Sequence, residues 1–202
     1  MDFSINSFLY KLLIDPLLSG LREGIIELVS PCSNVIDVAC GTGALSIRIS
    51  LKAEHVTGID NSPEMIAAAR RNALRKGIRN AAFQLLDASD MSQFGDRMFD
   101  MAVTSMAVHQ FNPETALTIL SEMKRIAPII LIADYNHHMP SGWGSATAWG
   151  IERLAGGEHY RNFRNFMLKG GIHWFARVSD LHIRREVTRG GGVFVISECI
   201  KK

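Results

Sequence analysis

The stretch that decides the fold is Val35-Ile36-Asp37-Val38-Ala39-Cys40-Gly41-Thr42-Gly43, an apolar run interrupted by one acid and closed by two glycines. Residues 34–39 are short, apolar and partly β-branched, which predicts a buried strand. A helix is predicted over 43–51, so Gly41 and Gly43 fall where strand meets helix. Glycine there permits positive φ angles and lets a ligand approach the backbone. The free N–H groups of the next helix point at whatever binds. Two glycines alone fit any nucleotide-like ligand, but three neighbours narrow the choice. The dinucleotide fingerprint needs a third glycine or alanine where this chain has Ser46. Asp37 interrupts an apolar strand, where an unpaired carboxylate is costly, so it needs a partner such as an ammonium group. Asp60 ends the next predicted strand, where a carboxylate can accept from both hydroxyls of a ribose.

Outward from this stretch, apolar runs alternate with amphipathic ones, the signature of an α/β sheet covered on both faces. A first helix is predicted over 17–29, where Leu17, Leu21, Ile25 and Leu28 repeat at helical spacing. A second strand follows over 55–60. Ser62 then offers an N-cap, Pro63 suits the first helical position, and Gly77 closes that helix. Strands are expected over 81–86, 98–104 and 129–134, with a short helical segment near Met91 and a helix over 113–125. Residues 139–178 are less regular, with helices expected over 145–154 and 159–169. Two final strands, 181–188 and 193–200, are joined by Arg189-Gly190-Gly191-Gly192, a turn that makes them antiparallel.

At 202 residues, with 47% hydrophobic and 21% charged, the chain fits one globular domain and is too apolar for disorder. Its parts are an N-terminal helical cap (1–30), a core (31–135), a substrate-facing helical insert (136–180) and a terminal hairpin (181–202). The net charge of +2 implies no nucleic-acid partner. The densest basic group (Arg70, Arg71, Arg75, Lys76) has the spacing of a solvated helix face. Cys32, Cys40 and Cys199 show neither disulfide nor zinc spacing, so no metal is expected and reduced, cytoplasmic thiols are. The start lacks signal-peptide features, and the apolar stretch 8–21 is too interrupted to cross a bilayer.

The quoted stretch, followed by Gly58-Ile59-Asp60-Asn61-Ser62-Pro63-Glu64-Met65, Leu86-Asp87-Ala88 and Phe99-Asp100, resembles the class I S-adenosylmethionine-dependent methyltransferases. It is most similar to the group that includes ubiquinone and menaquinone C-methyltransferases and small phospholipid N-methyltransferases. The resemblance covers residues 17–135, and it implies a Rossmann-like, doubly wound seven-stranded sheet of order 3-2-1-4-5-7-6. It also implies roles. Asp37 and the turn Ala39-Cys40-Gly41-Thr42-Gly43 would hold the methionine end of the cofactor, and Asp60 the ribose. Asn61 and Met65 would lie near the adenine, with Asp87 and the Ala88 N–H on its edge. The backbone at Thr104 and Ser105 would floor the pocket, and S-adenosylhomocysteine would be the product. Structural alternatives stand beside these roles: Asp87 as a turn cap, and Asp37 and Asp60 as loop-orienting carboxylates. Asp100 is structural in the family. The usual Leu-Lys-Pro-Gly-Gly turn is replaced by Arg125-Ile126-Ala127-Pro128, which departs from the subgroup and leaves the cofactor motifs untouched.

The sulfonium is already activated, so such an enzyme chiefly positions a nucleophile in line with the methyl group. Thr104-Ser105-Met106-Ala107 stands where amino-group nucleic-acid methyltransferases carry Asn/Asp-Pro-Pro-Tyr, which disfavours base methylation. His109 is the candidate base, or else a hydrogen-bonded structural residue. Tyr135, His137 and His138 follow the fifth strand on the ligand-binding edge. With His159, Tyr160 and Arg164 of the tryptophan-rich segment 143–174 they form the candidate acceptor site. Trp149, Phe163, Phe166 and Met167 read as core packing at helical spacing. The leader, with Phe3, Phe8, Tyr10 and Leu13, would pack, close over the cofactor, or rest on a membrane surface. The expected acceptor is a small or lipid-like molecule. Two other functions compete: an NAD-type oxidoreductase, disfavoured by Ser46 and Asp37, and a non-catalytic interaction protein.

Overall fold

The computed structural model describes residues 18–31 and 33–202. The expected roles of Phe3, Phe8, Tyr10 and Leu13, and the state of Cys32, lie outside the described residues. A helix over residues 18–28 (α1) comes first and buries Leu18, Leu21 and Ile25 along one stripe. The first half of the sheet follows as β1 (Asn34–Val38), α2 (Ala44–Ile49), β2 (His55–Asp60), α3 (Pro63–Arg75) and β3 (Ala81–Leu85). The second half is β4 (Met101–Ser105), α4 (Pro113–Ile126) and β5 (Ile129–Tyr135). Three helices then precede the hairpin: α5 (Trp143–Ala155), α6 (Gly157–Lys169) and α7 (Gly171–Val178). The hairpin itself is β6 (Leu181–Arg189) and β7 (Phe194–Lys201).

The sheet order is β3-β2-β1-β4-β5-β7-β6, with β7 antiparallel to both neighbours and every other pairing parallel. Central strands are apolar on both faces: Val35, Ile36, Val38, Ala102, Val103 and Ile130 are wholly buried. The free edge β6 carries Arg184, Arg185 and Glu186, which keep it from pairing with another chain. Helix starts follow the sequence signals. Ser62 Oγ accepts from the Met65 N–H, and Asn112 Oδ1 accepts from the Thr115 N–H, each with proline next in the helix. Asp100 Oδ2 accepts from the Asn34 N–H while its own N–H donates to the Asn34 carbonyl, fixing the start of β1.

Several local expectations are corrected. No helix forms near Met91; residues 87–100 are turns and bends. Side chains of α4 satisfy that backbone instead: Glu122 accepts from the Met91 N–H, and Arg125 donates to the Met91 and Phe94 carbonyls. The fourth strand begins at Met101, not 98: Arg97 adopts a left-handed φ of 54° and the Met98 N–H closes a turn on the Gly95 carbonyl. Tyr135 does not follow the fifth strand; it is its last residue, paired with Phe194. The segment after Gly170-Gly171, expected to be irregular, is a helix. The pair carries positive φ (106° and 57°), which ends one helix and starts the next. Ile172, Phe175 and Ala176 then bury the new helix at helical spacing.

Candidate functional site

The strand order reverses between β1 and β4, and a crevice outside their carboxyl ends is where open α/β sheets bind ligands. A cleft of about 490 Å³ lies there, lined by Asp37, Gly41, Asp60, Ser105, Met106 and Phe111 among others. A second hollow of about 240 Å³ holds Asp87 and Ala88, and the two share Ala39, Asp60, Asn61 and Phe111. The result is an elongated, two-lobed site with Asp60 at the waist.

Local chain geometry explains its shape. Ala39 and Met106, the turns after β1 and β4, are non-glycine residues at φ 60° and 56°. That conformation costs on the order of 1–3 kcal/mol and concentrates at ligand sites. Gly43 stands at φ 73°, and a Cβ there would lie 2.8 Å from the Phe83 ring and 3.0 Å from Ala69. Gly41 is also left-handed (φ 53°), but a Cβ on it would meet nothing within 4 Å. The first glycine is thus required by backbone conformation alone, the second by packing as well.

The carboxylates are held in place. Asp60 Oδ2 accepts from the Gly41 N–H at 2.8 Å and Oδ1 from the Ser62 N–H at 3.0 Å, which ties the glycine turn to the end of β2. Asp37 is buried and accepts from the Ser46 hydroxyl at 2.5 Å. Burial outweighs that bond and pushes its carboxyl up to about 7. Ser46 therefore has two effects: it removes the third glycine of a dinucleotide turn, and it supports the cleft acid. Asp87 Oδ1 accepts from the N–H and hydroxyl of Ser89, the turn-capping geometry. Of the remaining expected cofactor residues, Thr42 and Met65 line the larger lobe with Cys40. Gly43 and Thr104 are buried and do not line it; Ser105 does.

The residues expected at the acceptor and catalytic positions are not among those lining either lobe. His109 is 1% exposed in a short 3-10 turn, Val108–Gln110, and is not among the residues that line the cleft. Asp134 accepts from its Nδ1 at 2.6 Å and from its backbone N–H at 3.1 Å. Glu152 of α5 stands 3.5 Å from its Nε2. Burial would lower the imidazole pKa, but the Asp134 and Glu152 carboxylates outweigh it and hold it at about 9. A ring so enclosed and so basic is not placed to take a proton from an acceptor in the cleft. Tyr135 and His159 join the same cluster: the phenol donates to Glu152 Oε1 at 2.8 Å, and His159 Nε2 lies 2.5 Å from Oε2. Tyr160 packs beside it against Phe163. His138 is exposed and packs against His137 with the two rings tilted, outside both cleft and cluster. Arg164 is exposed on α6. Glu152 is noticeable in the sequence within segment 143–174 but carries no role there, because its partners lie 43 and 17 residues upstream and seven downstream.

A cleft at the switch point of this seven-stranded sheet defines a Rossmann-like α/β ligand-binding class, and comparison with known proteins makes it specific. Residues 30–164 match the model of the family described as a methyltransferase domain, and the chain belongs to that family. S-adenosylmethionine, its methyl donor, is accordingly the cofactor. An uncharacterised methyltransferase, sll0829, of a Synechocystis species is 30% identical over 116 residues, 57% of this chain and 52% of its own. A 23S rRNA (uracil(1939)-C(5))-methyltransferase, RlmD, of Methylococcus capsulatus is 31% identical over 96 residues, 47% of this chain and 20% of its own. The chain thus spans about half or less of the length of these curated relatives. The crystal structure of a SAM-dependent methyltransferase from Aquifex aeolicus aligns over 96% of this chain and 97% of its own, with TM-score 0.69 at 19% identity, a likeness of fold.

Proposed function

We propose that the protein transfers the methyl group of S-adenosylmethionine to a small, largely apolar or lipid-like acceptor by in-line displacement. The observation that carries this reading is the two-lobed cleft with Asp60 at its waist, bonded to the Gly41 N–H. In it Asp37 would take the ammonium of the methionine moiety, Asp60 the ribose hydroxyls, and the Asp87–Ala88 lobe the adenine. The larger lobe has an apolar wall of Leu18, Leu21, Met106 and Phe111, and this favours a greasy acceptor over a nucleic-acid backbone. The rRNA methyltransferase relative aligns over only 96 residues, 20% of its own length, which leaves most of that protein without a counterpart here. No helix among the described residues is long and apolar enough to cross a membrane, so a lipid-like acceptor would be met at a surface. Transfer needs positioning and no compulsory base, which agrees with the enclosure of His109.

Isothermal titration with S-adenosylhomocysteine tests the donor site. Asp60→Ala weakens binding by about 1–3 kcal/mol, the cost of losing hydrogen bonds to a charged group. Unchanged affinity rejects the ribose assignment, and NADH binding in place of S-adenosylhomocysteine rejects the whole reading.

A further inference from the structure

Behind the cleft, four separate pieces of chain bring a carboxylate and two imidazoles to one point. His109 comes from the turn after β4, Glu152 from α5 and His159 from α6, with Asp134 and Tyr135 from the end of β5 beneath them. The donor atoms of His109, Glu152 and His159 all lie within 4.8 Å of one another. We propose that these three residues form a binding site for a divalent transition-metal cation, zinc by ligand type, that clasps the α5–α6 insert to the edge of the sheet.

The argument rests first on charge. Asp134 and Glu152 are 0% and 4% exposed, and their ion pairs run to imidazoles. Two buried carboxylates need two positive charges close by. Either two imidazolium protons or one divalent ion provides them, and the three ligand atoms stand close enough together for a single ion.

Geometry supplies the second part. Asp134 accepts from His109 Nδ1 and from its backbone N–H, which fixes the ring and leaves Nε2 facing Glu152. A carboxylate behind a histidine ligand is the usual outer support of a metal site. The Tyr135 hydroxyl plays the same part for Glu152 Oε1. A tetrahedral ion with ligand distances near 2.0–2.2 Å separates its donor atoms by roughly 3.3 Å. His109 Nε2 and Glu152 Oε1 stand at 3.5 Å. His159 Nε2 lies 2.5 Å from the other carboxylate oxygen, Oε2, so an entering ion replaces the hydrogen bond between them. The His159 side chain is 31% exposed, which gives the ion a route in and leaves the fourth position to water. Imidazole and carboxylate donors without thiolate suit zinc and its first-row neighbours, and disfavour calcium and magnesium.

The test is chemically independent of methyl transfer. The full chain is stripped with a chelator, dialysed and titrated with Zn²⁺ by calorimetry, and with Co²⁺ by visible absorption. One equivalent of each metal should bind, the Co²⁺ complex should show the intense bands of tetrahedral coordination, and the unfolding temperature should rise with metal. His159→Ala, at the partly exposed ligand, should weaken binding at least 100-fold while far-UV dichroism stays native. Glu152→Gln should do the same. Asp134→Asn, acting through His109, should weaken it about 10–100-fold at unchanged stoichiometry. Three results overturn the site: no stoichiometric metal, wild-type affinity in His159→Ala, or loss of binding in His138→Ala or His173→Ala instead. Should Glu152→Gln fail to fold, His159→Ala decides alone.

Discussion

At the β1 end of the sheet edge, Asp37 is buried with a hydroxyl for company, and burial lifts its carboxyl to about 7. At the β5 end, Asp134 and Glu152 are just as buried but face imidazoles. Burial would raise Glu152 too, yet hydrogen bonds from His109, His159 and Tyr135 hold it down at about 2. The two places lie on one edge of one sheet and treat a carboxylate in opposite ways. An acid left short of positive charge is prepared for the ammonium of an organic ligand, whereas acids that share imidazoles and a phenol hold the insert to the sheet. The first region reads as the donor site and the second as the anchor of the helical insert.

The largest effect that would test this division is at Phe163, wholly buried in α6 and edge-on to the rings of Tyr135 and Trp149. Phe163→Ala should cost about 3–5 kcal/mol of stability in denaturant titration. The folded fraction should keep its affinity for S-adenosylhomocysteine; if affinity collapses with stability, the two regions are not separable. Next come the two glycines of the donor turn. Gly43→Ala must displace Phe83 or Ala69 as well as hold a left-handed φ, and should lose about 2–4 kcal/mol. Gly41→Ala meets no atom and should lose about 1–2 kcal/mol, the left-handed penalty alone. Equal losses in the two variants would reject the packing argument.

The smallest effect is a pH dependence. The Asp37 carboxyl is raised on folding, so its contribution to stability is complete below about pH 4 and is lost as pH rises through about 7. Ligand binding has the opposite sign, because the ionised form pairs with an ammonium. Affinity for S-adenosylhomocysteine should therefore rise between about pH 6 and 8 in calorimetry. Asp37→Asn should flatten that profile, and a flat profile in the unmodified chain would remove Asp37 from the ligand's contacts.

The donor half was legible because its signals are local. Asp37, Gly41 and Gly43 fall within seven residues, and strand, turn and helix follow from neighbours in sequence. The segment near Met91 was misread because distant side chains, Glu122 and Arg125, satisfy its backbone. His109 was noticed but its surroundings were not: Asp134 lies 25 residues on, and Glu152 on a helix no motif marks. Tyr135, His138, His159 and Tyr160 were grouped as one acceptor wall. Tertiary packing splits them, placing the tyrosine and His159 in the cluster, Tyr160 against Phe163 and His138 on the surface.

By itself, then, the sequence determined the alternation of strands and helices, the glycine turn and the acids that, through a family resemblance, point to a methyl donor. Short-range periodicity, capping and φ requirements are written into neighbouring residues. Only the tertiary structure decided that Ser46 supports Asp37, that a second hollow joins the first at Asp60, and that His109 is locked behind the cleft. Those outcomes depend on which helix lands on which strand end, and so on contacts between residues far apart in the chain, where no local pattern records the partner.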